Sequence, residues 1–223
     1  MSILNRLERR LSRWRIQPFY KYLVIAMAGV YLLDMFTRGT SIAARLALFM
    51  PRVFSGEVWR LVTFLVVPPG GSIFQTALTL YFYYFVGTAL EARWGARRFL
   101  LFYAIGALAA ITAALITYVL GIGAGGFGTN LYLNLSLFFA FAITYPDFQI
   151  LLFFILPIKM KWLALLNALY YIYNFVFGAW DVRIAILLSL VNLVLFFGGD
   201  MLNLARTSAN QWKRRQAFRR SWK

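Results

Sequence analysis

FLLFYAIGALAAITAALITYVLGIGAGGFGTNLYLNLSLFFAFAITYP, residues 99–146, holds 48 consecutive positions without one Asp, Glu, Lys or Arg. That is room for two helices of about 20 residues each and the loop joining them, the length needed to cross a hydrocarbon core of about 30 Å. Water cannot be the solvent of such a stretch. In its second half a glycine run, GGFG at 125–128, feeds a helix-like segment carrying Thr129, Asn130, Asn134 and Ser136. Those polar groups pose the functional question.

The rest of the chain agrees with a membrane setting. Of 223 residues, 62% are hydrophobic and only 13% charged, and the mean hydropathy is +0.70, a balance that a soluble domain of this size cannot carry. Six spans fit, at about 19–36, 73–90, 99–120, 130–145, 162–178 and 184–203, so the expected fold is an all-α, six-transmembrane-helix bundle. The fourth and sixth look short, and short spans thin the bilayer around them. The expected divisions are a basic segment at 1–18, the membrane domain at 19–203 and a basic tail at 204–223. The basic N-terminus is followed by no short apolar core with a small-residue cleavage site, so no removable signal peptide is read.

The formal net charge of +16 invites a nucleic-acid reading. Position argues against it. Of the 23 basic residues, 18 fall in Arg6–Lys21, Arg93–Arg98, Lys159, Lys161 and Arg206–Lys223, segments that one topology puts on a single side. This positive-inside pattern places both termini in the cytoplasm, and a bacterial plasma membrane is the expected location. The tail QWKRRQAFRRSWK interleaves cations with Trp212, Phe218 and Trp222 and suits an anionic leaflet, so lipid headgroups are expected partners and nucleic acid is not.

Two connections are unusual. Residues 37–72 are too long for a turn and too apolar for a solvated loop, so they are expected to lie in the interface. There Arg38, Arg45, Arg52 and Arg60 would keep the segment from crossing, while Leu48, Phe49, Phe54, Trp59 and Phe64 would bury in the acyl boundary. The second, PDFQILLFFILPIKMKW from Pro146, is too short to span and is read as interfacial, or as an extended segment packed on the bundle.

Chemistry is constrained by absences. The sequence contains no Cys and no His, which removes thiolate sites, the commonest metal ligand and the commonest general base. No cofactor is expected. Ser136 and Ser189 are the only serines between Ser72 and Ser208, and lysines near the spans sit at their edges, so a nucleophilic serine lacks its base. No carboxylate falls in mid-span, and a proton-coupled transporter lacks its main device; Glu91 is read as a partner for Arg97 or Arg98. The remaining polar residues recur at helical spacings: Thr129, Tyr132 and Ser136; Asn130 and Asn134; Asn167, Tyr171 and Asn174; Ser189 and Asn192, with Gly199 and Asn203 beyond. Such faces either hydrogen-bond neighbouring helices or line a cavity that receives a substrate or a partner helix.

Four ordered stretches resemble the rhomboid superfamily: GEVWRLVTF at 56–64, YFYYFVGTALEARWGARRFLLFY at 81–103, the glycine-led fourth span, and YPDFQILLFFILPIKMKWLALL at 145–166. Trp59 and Arg60 match the family's first-loop Trp-Arg motif, and Gly87 and Glu91 its G-x-x-x-E second helix. The resemblance implies the six-helix rhomboid fold. Proteases of that family carry G-x-S-G at the start of the fourth helix, a His in the sixth, and His and Asn near the second. Here Thr129-Asn130-Leu131-Tyr132 stands at the G-x-S-G position with Leu131 at the nucleophile's place, no His exists, and no Asn occurs between Asn5 and Asn130.

The chain also resembles Derlins and inactive rhomboids, which implies no protease activity and the binding of transmembrane clients, in membrane-protein quality control. Asn130, Asn134, Asn167, Asn174 and Asn192 are the candidate client contacts, and the open side between the second and fifth spans the candidate entrance. An intramembrane peptidase using an atypical nucleophile such as Ser136, or a carrier of lipids or small molecules, is the alternative. The oligomeric state is not readable.

Overall fold

The computed structural model describes residues 17–37, 41–123, 125–145, 148–152 and 156–197. The basic N-terminal stretch, Arg38, Asp147, Gly199, Asn203 and the basic tail lie outside the described residues.

The protein is mostly helical. Helix α1 (Tyr20–Phe36) leads to a folded loop made of α2 (Ile42–Leu46), strand β1 (Leu48–Phe49), α3 (Met50–Phe54), α4 (Arg60–Thr63) and a 3-10 turn, Phe64–Val66. Then follow α5 (Ile73–Trp94), α6 (Ala96–Leu120), β2 (Phe127–Gly128), α7 (Leu131–Thr144), the hairpin β3 (Gln149–Leu152) and β4 (Leu156–Lys159), α8 (Met160–Phe177) and α9 (Trp180–Phe197). By length and composition α5, α6 and α9 are able to cross a membrane. The other three predicted spans coincide with the shorter helices α1, α7 and α8, so the helices appear where the apolar runs predict them, while six full crossings are not established.

The all-α expectation needs correction in two places. Leu48 and Phe49 pair antiparallel with Gly128 and Phe127, and the Met50 amide donates to the Gly126 carbonyl at 3.0 Å. After Tyr145, Gln149–Leu152 pairs antiparallel with Leu156–Lys159, Gln149 opposite Lys159, so the described part of that run is extended.

Helix α7 is the hub. It has 14 residues, about 21 Å of helix, and packs against α5, α6 and α8. None of its residues is exposed, and Leu133, Leu137, Ala140 and Phe141 lie in the core. Of the two helices expected to be short, α9 reaches 18 residues within the described part alone. The 17-residue α1, about 25 Å long, turns Tyr22, Ile25, Leu32 and Phe36 outward, and any mismatch with the bilayer acts there. Helix α9 seats on α6 and on the end of α5 through aromatic pairs, Phe196 on Phe102 of α6 at 5.1 Å and Phe197 on Trp94 of α5 at 5.4 Å between ring centres.

The first loop differs from its expected place in the interface. Phe54 and Trp59 are more than half exposed, but Leu48 and Phe64 are buried inside the protein. Arg60 is turned inward as well: it is 3% exposed, with Nη1 donating to the carbonyls of Ala44 and Ala47 at 3.0 and 2.8 Å and Nε to Glu57. A guanidinium satisfies several acceptors at once from one rigid plane, so it holds two turns of the loop together. The Trp-Arg pair thus splits its work between an outward ring and an inward clamp.

Candidate functional site

The polar residues of the glycine-led helix start with Asn130. Its Nδ2 lies 3.1, 3.1 and 2.9 Å from the carbonyls of Phe64, Leu65 and Val67, the 3-10 turn that closes the first loop. These carbonyls leave the helical ladder there, and one amide group satisfies them together. The glycines ahead of it serve the same seam. At Gly126, where φ is +90°, a Cβ would come within 2.8 Å of the Cβ atoms of Met50 and Tyr118, and one on Gly128 would overlap Leu48. The glycine run lets β2 lie flat on β1.

One turn deeper, Asn134 is 2% exposed and its Oδ1 accepts from the Tyr20 hydroxyl at 3.2 Å. Tyr20 is fully buried and stacks edge-on against Phe99 and Tyr103. The resemblance to the G-x-x-x-E helix acquires a physical reason here. A side chain on Gly87 would overlap the Tyr20 ring, and Glu91, 3% exposed, accepts the amides of Phe19 at 2.8 Å and Tyr20 at 3.3 Å. Glu91 was expected to pair with Arg97 or Arg98; its carboxylate instead caps the start of α1, where the first amides have no partner within the helix. Gly87 and Glu91 together dock the first helix.

A second polar group joins α7, α8 and α9. Tyr171 donates to the Tyr132 carbonyl at 3.1 Å and shares a 3.3 Å contact with Ser189. Asn167 Nδ2 donates to Leu135 O at 3.2 Å, and Asn192 Nδ2 to Phe102 O at 3.2 Å. Asn174 is partly buried and bonds within its own helix, to Tyr170 O at 2.8 Å. Four of the five candidate asparagines are buried, and each of those four reaches another segment; Asn174 does not. Ser136 is 2% exposed and its hydroxyl donates to Leu133 O at 2.7 Å, one turn back along its own helix. Leu131 is partly buried, and its amide donates to the Thr129 hydroxyl at 3.1 Å.

Among the described residues four buried polar atoms have no partner within 3.5 Å: Tyr103 Oη, Asn134 Nδ2, Asn167 Oδ1 and Asn192 Oδ1, with the Tyr83 hydroxyl close enough to Asn134 for a long hydrogen bond. A buried polar atom left without any partner costs about 1–3 kcal/mol. Tyr83 approaches Asn134 from α5 and interacts electrostatically with Tyr170 of α8. Helices α5 and α8 both pack on α7 and hardly touch each other. Large apolar and aromatic side chains are exposed on both helices, Tyr84 on α5 and Leu166, Tyr170 and Tyr173 on α8 among them. Tyr20, Tyr83 and Tyr103 were missed in the sequence, because nothing in a lone tyrosine of an aromatic-rich span distinguishes a buried hydroxyl from an interfacial one.

A family model described as "Eukaryotic integral membrane protein (DUF1751)" matches residues 21–199. The chain belongs to this family. It is an integral, multi-pass membrane protein, and the match takes in every helix of the bundle from α1 to α9. No curated protein and no solved structure gave a match. Membership in the eukaryotic integral membrane family overturns one expectation, the bacterial plasma membrane. Positive-inside asymmetry is common to bacterial and eukaryotic membranes, so charge alone could not separate them.

Proposed function

We propose that this chain is a rhomboid-like, Derlin-like membrane protein without protease activity that binds the transmembrane segments of other proteins in membrane-protein quality control. The observation that carries the reading is that α5 and α8 both pack on α7 with few contacts between them, with the buried amides of Asn134 on α7 and Asn167 on α8 each holding a polar atom, Nδ2 and Oδ1, without a partner within 3.5 Å among the described residues. A client helix bearing a polar side chain would complete those bonds, each worth roughly 0.6–2 kcal/mol in a membrane. The site that would hold a serine nucleophile in a protease of that superfamily presents Leu131, and the serine nearest to it, Ser136, spends its hydroxyl on its own helix.

Photo-crosslinkers placed at Tyr84, Asn134 and Tyr170 test the proposal in membranes. Capture of a transmembrane reporter at these positions, and not at Tyr22 on the outer face of α1, is the expected result; capture of lipid alone would reject it. The runner-up, a peptidase built on Ser136, predicts labelling by a serine-reactive probe that Ser136→Ala abolishes.

A further inference from the structure

A cavity of about 50 Å³ lies between α6, the start of α7 and the start of α9. Its lining combines small residues, Ala113, Ala114 and Ala185 among them, with Thr129, Tyr132 and Asp181, which bring two hydroxyls and a carboxylate. Tyr132 is within electrostatic reach of Asp181. The backbone makes room for the carboxylate: at Gly123, where φ is +63°, a Cβ would sit 2.6 Å from Asp181 Cγ. Asp181 Oδ1 accepts the Val182 amide at 2.9 Å, which fixes the carboxylate at the head of α9. Phe127, part of the lining, is 52% exposed, so the cavity reaches the surface at the end of the bundle where Val119, Leu120 and Trp180 face outward.

We infer that this cavity is a binding site for the primary ammonium group of a phospholipid headgroup. A carboxylate with hydroxyl oxygens beside it offers acceptors and negative charge, which suits a cation with three N–H donors and repels a phosphate. Size narrows the class. A cavity needs about 10–15 Å³ on this measure for each water-sized occupant, so the space takes roughly three to five non-hydrogen atoms. An ammonium with its two methylenes fits. Phe127 and Tyr132 in the lining would serve any cation, but a trimethylammonium group has no N–H to give to the carboxylate and hydroxyl oxygens, so each added methyl removes a donor that these acceptors can use. The exposed apolar residues around the mouth put the site at lipid rather than in bulk water. The inference stands independently of client binding.

The test uses the full-length protein purified in detergent, with bound lipid read by native mass spectrometry. An equimolar mixture of ethanolamine, N-methyl, N,N-dimethyl and choline phospholipids sharing one pair of acyl chains is the probe. The expected result is retention falling with each methyl group, at least fivefold between the ethanolamine and choline lipids. Asp181→Asn and the cavity-filling Ala185→Leu should each abolish that gradient while leaving the melting temperature in choline lipid unchanged. Should either variant fail to fold, the methylation series on the wild-type protein decides. Equal retention of all four lipids overturns the proposal, and so does a gradient that survives both variants. Ethylamine at millimolar concentration separates the sources: protection by ethylamine with no preference among the lipids would show a free-amine site and reject the lipid assignment.

Discussion

Tyr20 occupies the space that a side chain at residue 87 would need, and its hydroxyl bonds Asn134 on the far side of the ring. One tyrosine therefore ties α1 to α5 by shape and to α7 by a hydrogen bond. Gly87→Ala should force the ring out of place and destabilise the protein by about 1–3 kcal/mol, the usual cost of overpacking a filled core. Gly29→Ala is the matched control, because a Cβ there meets nothing within 4 Å and a helical alanine is intrinsically favoured. Melting of both variants in lipid nanodiscs checks the pair: the first should drop and the second hold or rise.

Asn130 is the fastener between the first loop and the glycine-led helix. Asn130→Ala removes the one donor shared by the carbonyls of Phe64, Leu65 and Val67 and should cost about 1–3 kcal/mol, concentrated in that loop. Hydrogen exchange should accelerate across residues 60–67 and 126–131 and change little in α6. Asn174→Ala, which loses only a bond within its own helix, should stay within about 0.5 kcal/mol of the parent.

The Arg60 clamp makes the loop sensitive to acid. The hydrogen bond from Arg60 holds the Glu57 carboxyl below its ordinary value of 4.5, with Arg52 adding to the effect at 3.1 Å. Because the folded-state value is the lower one, the pair's contribution is fully present above pH 4.5 and is lost as pH falls through the lowered value. Glu57→Gln should lower the melting temperature at pH 7 and flatten its decline on the acid side. Arg60→Lys should be nearly as damaging as Arg60→Ala, since an ammonium cannot reach the Ala44 and Ala47 carbonyls and Glu57 from one position.

Ser136 serves its own helix, so Ser136→Ala should leave client capture unchanged, and a fluorophosphonate probe should label the wild-type protein no more than the variant. Helices tolerate a serine that bonds back to the preceding turn, and its removal should shift stability by less than about 1 kcal/mol. Labelling that disappears in the variant would reinstate catalysis.

Helix positions were legible because uncharged runs of membrane length have few other readings, and α1, α5 and α7 each begin within one residue of the predicted start. The first loop was not. Its inward residues Leu48 and Phe64 follow from pairing with Gly128 and Asn130, more than 60 positions away, and Arg60 from carbonyls 13 and 16 positions back in the loop; no local pattern announces such partners. Among the polar residues, spacing identified which faces turn inward, and Asn134, Asn167 and Asn192 are indeed buried. Spacing did not identify what they meet. Asn130 and Asn134 share one helical face, yet one fastens a loop and the other meets Tyr20, a difference set by the elements packed around α7.

The central claim is that the protein holds transmembrane segments without cutting them. Reporter substrates with a polar residue in mid-span, incubated with the purified protein in liposomes, read both properties at once: co-purification for binding and fragment release for cleavage. Full-length reporter should co-purify, with recovery falling at least fivefold when Asn134→Leu removes the buried amide of α7. Reporter fragments, or recovery indifferent to that substitution, would contradict the account.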